Sequence, residues 1–271
     1  MIPTPMRSLD PPDFYDEDYA SRGVTNMMVP VDFWETSRPK PGFKTVVGFV
    51  DVGLVGLIAT KHMIEELGLE PIGGIDAPSE LPLTPIRDGV VQYPIGLYYK
   101  HPWLVISPEV PLPATLIYPI ASAILDYVER RGTSEIISLT GLASLQRIKK
   151  EPSTFWIVND PDLFEEETMR KIARVGEPLK DGVLYGPTAV LLKLARGRGI
   201  PGVTVLAEAF PDFPDPGAAA KVLDALSKIY DVEINTQKLI EDSERIKARL
   251  QEMANRAKEV IQERPRSMMY A

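Results

Sequence analysis

Four carboxylates in this chain stand where an α/β protein does its chemistry. Asp51, Asp76, Glu109 and Glu208 each fall at or just past the end of an apolar, strand-like run. In sheets built from such runs, ligands bind beyond the strand C-termini. Were Asp51, Asp76 and Glu208 to converge there, they would form a ligand edge able to hold a hard cation or to share acid and base roles. Scattered, they would be ordinary polar loop residues. Beside the first of them, "GFVDVGLVG" (Gly48–Gly56) puts glycines at a strand-to-helix turn, a place where a phosphate can rest on a helix N-terminus. Asp51 would oppose that anion and the stretch departs from the dinucleotide fingerprint, so its spacing favours close helix–sheet packing instead.

Other chemistries have little material. The 271 residues include no cysteine, which removes disulfides, thiolate nucleophiles and cysteine metal sites. The two histidines, His62 inside a helical stretch and His101 beside Trp103, are far apart and read as structural. No Gly-x-x-x-x-Gly-Lys-Ser/Thr loop for nucleotide hydrolysis is present. No cofactor and no metal are expected. A net charge of −8 and a pI near 5.0 argue against a nucleic-acid partner, which needs a basic face. The first residues lack a basic-then-apolar signal pattern, and no uncharged run reaches the roughly 18 residues of a membrane span. The expectation is a cytoplasmic protein with no membrane partner. Its 26 prolines and missing cysteine fit a heat-adapted source.

The elements that would position these residues follow from periodicity. Thr45–Gly53 and Leu69–Asp76 read as buried strands flanking a helix closed by Gly68. Val90–Tyr99 and Pro102–Ser107 read as an antiparallel pair, and Tyr118–Gly132 as an amphipathic helix. Further strands are predicted at Ser134–Ser144, Ser153–Asp160 and Ile200–Ala209. Asp160-Pro161 and Asp215-Pro216 each carry a capping aspartate followed by a first-turn proline, and so start helices. Strands alternating with helices imply an α/β fold whose largely parallel sheet is covered on both faces. Residues 1–43, Pro-rich and acidic, are expected to form an arm or lid, with 44–234 as the core domain.

From residue 235 to 263 the pattern changes. Leu239, Ile246, Leu250, Met253, Ala257 and Val260 follow one another at steps of seven, four, three, four and three, the seam spacing of a coiled coil. A long charged helix results, packed on its own domain, on a neighbouring copy, or on both. Pro265 ends it, and residues 264–271 form a flexible tail ending Met-Met-Tyr-Ala, with a reach of roughly 17 Å over about five residues.

Four stretches, taken in their order and spacing, resemble the proteasome assembly chaperone family in its archaeal form: "GFVDVGLVGLIATKHMIEELGLEPIGGID", "SEIISLTGLAS", "GVLYGPTAVLLKLARGRGIPGVTVLAEA" and "FPDPGAAAKVLDALSKIYDVEINTQKL". The resemblance covers most of residues 44–250. Nothing carries over to residues 1–43 or Glu109–Leu116. It implies a three-layer α/β/α fold similar to nucleoside phosphorylases, with a mixed, largely parallel sheet and no known catalysis. It also implies homo-oligomers and, in some members, binding to the α-ring of the 20S proteasome through a terminal hydrophobic-Tyr-any tripeptide. Here that tripeptide is Met269-Tyr270-Ala271.

The chemistry of the tail suits that use. A terminal carboxylate can be captured by a lysine or by backbone N–H groups. Burying Met269 and Tyr270 would contribute roughly 1.5–3 kcal/mol each, and a charge-assisted bond about 1.5–3 kcal/mol more. Association costs at least about 4 kcal/mol. One tail is therefore weak, in roughly the millimolar range or above. Several tails on one oligomer could gain a further factor of about 10²–10⁴. The rival expectation is a phosphorylase-like enzyme of small molecules that works through the strand-end carboxylates.

Overall fold

Thr45, Val46 and Val47 are fully buried, as β-branched residues are when both faces of a strand are covered. The computed structural model describes residues 29–144, 152–211 and 213–241. In chain order the elements are β1 (Asp32–Glu35), β2 (Phe43–Val47), α1 (Val55–Leu67), β3 (Glu70–Asp76), β4 (Ile86–Arg87), β5 (Val90–Val91), β6 (Ile95–Lys100), β7 (Trp103–Pro108) and α2 (Ala114–Arg131). After these come β8 (Thr133–Ala143), β9 (Thr154–Val158), α3 (Glu166–Arg174), β10 (Glu177–Pro178), α4 (Pro187–Gly197), β11 (Gly202–Ala209), α5 (Pro216–Tyr230) and α6 (Gln237–Glu241).

Nine strands make one sheet in the order β1-β3-β6-β7-β2-β8-β11-β9-β10, while β4 and β5 form a separate small hairpin. The sheet is mixed. β7, β2, β8 and β11 run parallel at its centre, and β6 and β9 flank them antiparallel. Its two faces bury separate cores. Val46, Ile137, Leu139 and Val205 pack under α1 and α5, with Ile172 of α3 and Leu239 of α6. Phe43, Val47, Leu104 and Ile106 pack under α2 and α4 on the other face. Each such side chain contributes roughly 1.5–3 kcal/mol by leaving water. The result is the expected α/β fold, with helices on both faces of a mixed sheet.

Local signals explain most boundaries. Gly68 and Gly132 end α1 and α2 in the left-handed conformation. The Asp215 carboxylate accepts a bond from the Ala218 N–H at 3.0 Å and caps α5, with Pro216 in the first turn. Asp160 also caps, accepting from the Asp162 N–H, but it starts a single 3₁₀ turn, and α3 begins afresh at Glu166. The strand expected over Thr45–Gly53 stops at Val47, because the next residues turn into the helix. Val90–Val91 belongs to the hairpin and not to the strand that begins at Ile95.

One element lies inside the expected N-terminal arm. β1 pairs antiparallel with β3, Asp32 opposite Asp76, and forms one margin of the sheet. Phe33 stacks on Tyr127 of α2 at 4.9 Å, and Glu35 takes an ion pair from Arg131 and a 2.7 Å hydrogen bond from the Tyr127 hydroxyl. Burial and Glu35 together push the Tyr127 hydroxyl well above its ordinary pKa. Residues 1–28 of the arm lie outside the described residues. Among the described residues, no helix is long and apolar enough to cross a membrane.

Candidate functional site

β2 passes the chain through α1 to β3 on one side of itself, whereas β8 passes it on to β9 on the other side. The crevice between the C-terminal ends of β2 and β8 is thus the point where connections diverge, the usual ligand position in an open α/β sheet. Asp51 follows β2 into that crevice. Its Oδ2 accepts a 2.6 Å bond from the hydroxyl of Thr140 on β8, while Oδ1 is buried with no partner in hydrogen-bond geometry. Thr188, in the first turn of α4, approaches the carboxyl without completing a bond. Burial raises the Asp51 pKa to about 7, against the two hydroxyls and its own backbone, which favour the charged form. Neither threonine was singled out by sequence. A hydroxyl within a buried strand carries no local mark of the carboxyl it will meet 89 residues away.

The other strand-end carboxylates do not join Asp51. Asp76 ends β3, three strand spacings from β2, or about 14 Å. Its Oδ1 accepts from the Ala77 N–H at 2.7 Å, and desolvation raises its pKa. Glu208 of β11 accepts from the Ser144 hydroxyl at 3.1 Å and the Ser153 N–H at 3.2 Å, tying together the two ends of the β8–β9 connection. Glu109, buried beyond β7, is gripped by Lys61 of α1 and by Arg87 of the hairpin, the latter at 2.6 Å. Burial works against the Arg87 charge, but attraction to Glu109 and Tyr98 prevails and raises its pKa. Each carboxylate thus has local partners of its own. Among the described residues, no three His, Asp or Glu side chains gather as metal ligands.

The Gly48–Gly56 turn is filled by the protein itself. A Cβ on Gly56 would lie 2.4 Å from the Leu139 carbonyl oxygen, so α1 presses directly on β8. Gly53 has φ 62°, and a Cβ there would meet Ala209 at 2.9 Å. Both glycines serve close approach, which leaves no cradle for a phosphate. The His62 ring nitrogen sits 2.8 Å from the Asn235 carbonyl oxygen and joins α1 to the segment before α6; His101 is exposed in the β6–β7 turn, 3.3 Å from the Tyr99 hydroxyl.

Of the seam positions, Leu239 is buried in the chain's own core. Ile246, Leu250, Met253, Ala257 and Val260, together with Met269, Tyr270 and Ala271, lie outside the described residues.

The fold and sequence have known relatives. A crystal structure of Pyrococcus furiosus PbaA, an archaeal homolog of proteasome-assembly chaperone, superposes with a TM-score of 0.74 at 28% identity, covering 85% of this chain and 99% of that one. Pyrococcus furiosus PbaB, an archaeal proteasome activator, gives 0.71 at 26% identity, covering 83% and 99%. An uncharacterized protein of Methanocaldococcus jannaschii is 27% identical over 209 residues, 77% of this chain and 84% of its own. The model of the PAC2 family matches residues 45–254. This chain belongs to the PAC2 family.

Proposed function

We propose that this chain is a homo-oligomeric protein of the cytoplasm that binds the 20S proteasome without hydrolysing ATP, as an assembly chaperone or a gate-opening activator. It docks by inserting Met269, Tyr270 and Ala271 into pockets of the α-ring. The observation that carries this reading is the likeness to PbaA and PbaB over more than four-fifths of the chain. The scatter of Asp51, Asp76 and Glu208 supports a non-enzymatic role, because a phosphorylase-like enzyme needs such groups around one ligand.

Leu239 faces the chain's own core, so the oligomer seam begins at Ile246, one heptad on. Copies joined there hold several tails at once, and multivalency turns individually weak tails into firm attachment.

The test is co-sedimentation with the 20S particle from the same source, beside a form lacking Tyr270 and Ala271. The full chain is expected to bind and the shortened form to lose binding while keeping its fold and oligomeric state. Equal binding by both forms would refute tail docking. Peptide hydrolysis by the mature particle then separates the two roles: an activator accelerates it, and a chaperone acts only on unassembled subunits.

A further inference from the structure

A groove of about 500 Å³ runs along the outer flank of α4, between that helix and β9. Ile157, Leu184, Val190 and Leu192 give it apolar walls, while Lys193 and Arg196 stand one helical turn apart on its rim. Both cations are exposed, and neither has an ion-pair partner among the described residues. A cationic, apolar groove is unusual on a chain of net charge −8. It calls for an occupant that is acidic and carries large apolar groups.

We infer that the groove is the docking site of the chain's own acidic stretch Asp10–Ala20. That stretch, "DPPDFYDEDYA", combines the carboxylates of Asp10, Asp13, Asp16, Glu17 and Asp18 with the rings of Phe14, Tyr15 and Tyr19, and holds no Lys or Arg. The rings fill the apolar walls and the carboxylates face Lys193 and Arg196, which also lie near the C-terminal half of α4 and so offset its dipole.

Topology puts the two within reach. Asp32 pairs with the last residue of β3, so β1 enters the sheet at the C-terminal edge of the parallel strands. α4 leads into β11 and therefore starts over that same edge. Val29, Val31 and Phe33 pack into the core beneath α2 and α4, on the face that α4 covers. From β1 to β9 the sheet spans seven strand spacings, or about 34 Å. The 14 residues back from Val29 to Tyr15 reach about 46–50 Å when extended. One copy can therefore close the contact by itself.

The absence of cysteine makes the test direct. Pro12→Cys, 17 residues back from Val29 and so well within reach, is combined in the full chain with Val183→Cys, an 89% exposed position two residues from Tyr185 on the groove lip, and exposed to a mild oxidant. Pro12→Cys with Glu166→Cys, on the opposite face of the sheet, is the control. Docking is expected to give an intramolecular disulfide with Val183→Cys whose yield is independent of protein concentration and well above the control. Adding Lys193→Glu and Arg196→Glu should lower that yield about fivefold or more. Because both side chains are exposed, thermal melting should be unchanged. A yield equal to the control, insensitivity to charge reversal, or a disulfide formed only between copies would each overturn the proposal. So would a higher disulfide yield with Val183→Cys from a Tyr270→Cys reporter than from the Pro12→Cys one.

Discussion

Gly48 and Gly56 face one another so closely that a Cβ on Gly48 would lie 2.1 Å from the Gly56 carbonyl oxygen. The strand leaving β2 and the first turn of α1 are in backbone contact there. What looks in sequence like a ligand loop is a weld between helix and sheet. Gly48→Ala should therefore destabilise the fold by at least about 3 kcal/mol, since the clash is with backbone that cannot turn aside. Urea unfolding of Gly48→Ala beside an exposed control such as Gly182→Ala, where a Cβ meets nothing within 4 Å, measures this.

Asp51 gives the fold a pH dependence of definite sign. Its pKa rises from 3.8 to about 7 on folding, so the folded state holds a proton that the unfolded chain has released. This group's contribution is fully present below pH 4 and is lost as pH rises through about 7. Asp51→Asn keeps an oxygen for the Thr140 hydroxyl and removes the titration. It should leave stability near pH 4 almost unchanged and raise it on the order of 2–4 kcal/mol at pH 8. Melting temperatures of the two forms across pH 4–8 should diverge steadily; parallel curves would mean that the carboxyl is ionised in place.

Glu109 is buried between two cations, and each can compensate for loss of the other. Lys61→Met and Arg87→Met should each cost about 1–2 kcal/mol. The double variant should cost about 3–5 kcal/mol, more than the sum of the single losses where those fall at the low end, because the carboxylate is then buried without a counter-charge. A double-mutant cycle reads this directly. Arg87→Met should also increase hydrogen exchange in the β4–β5 hairpin, which Glu109 ties to the sheet.

The proposed oligomer seam and the core position Leu239 can be separated by mutation. Leu239→Ala empties a core position and should cost about 2–4 kcal/mol of stability with the oligomeric state unchanged. Ile246→Asp with Leu250→Asp should do the reverse, lowering the mass measured by light scattering while the melting of the α/β core stays the same. Under the proposed function it should also weaken binding to the proteasome, because dispersed copies would lose the gain from several tails.

The sequence made the covered sheet and its helix ends readable because those depend on neighbours. Gly68, Gly132, Asp215 and Pro216 act within a single turn of where they stand. β1 was hidden for the opposite reason. Nothing in Asp32–Glu35 itself demands a strand in a Pro-rich stretch; its partners are Tyr127, Arg131 and β3, more than 35 residues away. The carboxylates show the same limit. That Asp51, Asp76, Glu109 and Glu208 end strands was legible. Whether they meet depended on which strands come between them, β6 and β7 between β3 and β2 and β8 between β2 and β11, which no single stretch of residues specifies.

The margins of the sheet bear on how copies of this protein can join. One border is the four-residue β1, and the other is β10, two residues long and ending in Pro178, which has no N–H to donate. Neither offers the long unpaired ladder that lets a neighbour continue a sheet from one molecule into the next. Growth by strand addition is thereby discouraged at both ends. The proposed homo-oligomer would then rest on side-chain contacts between closed surfaces, which can stop at a fixed number of copies instead of running on as a fibre.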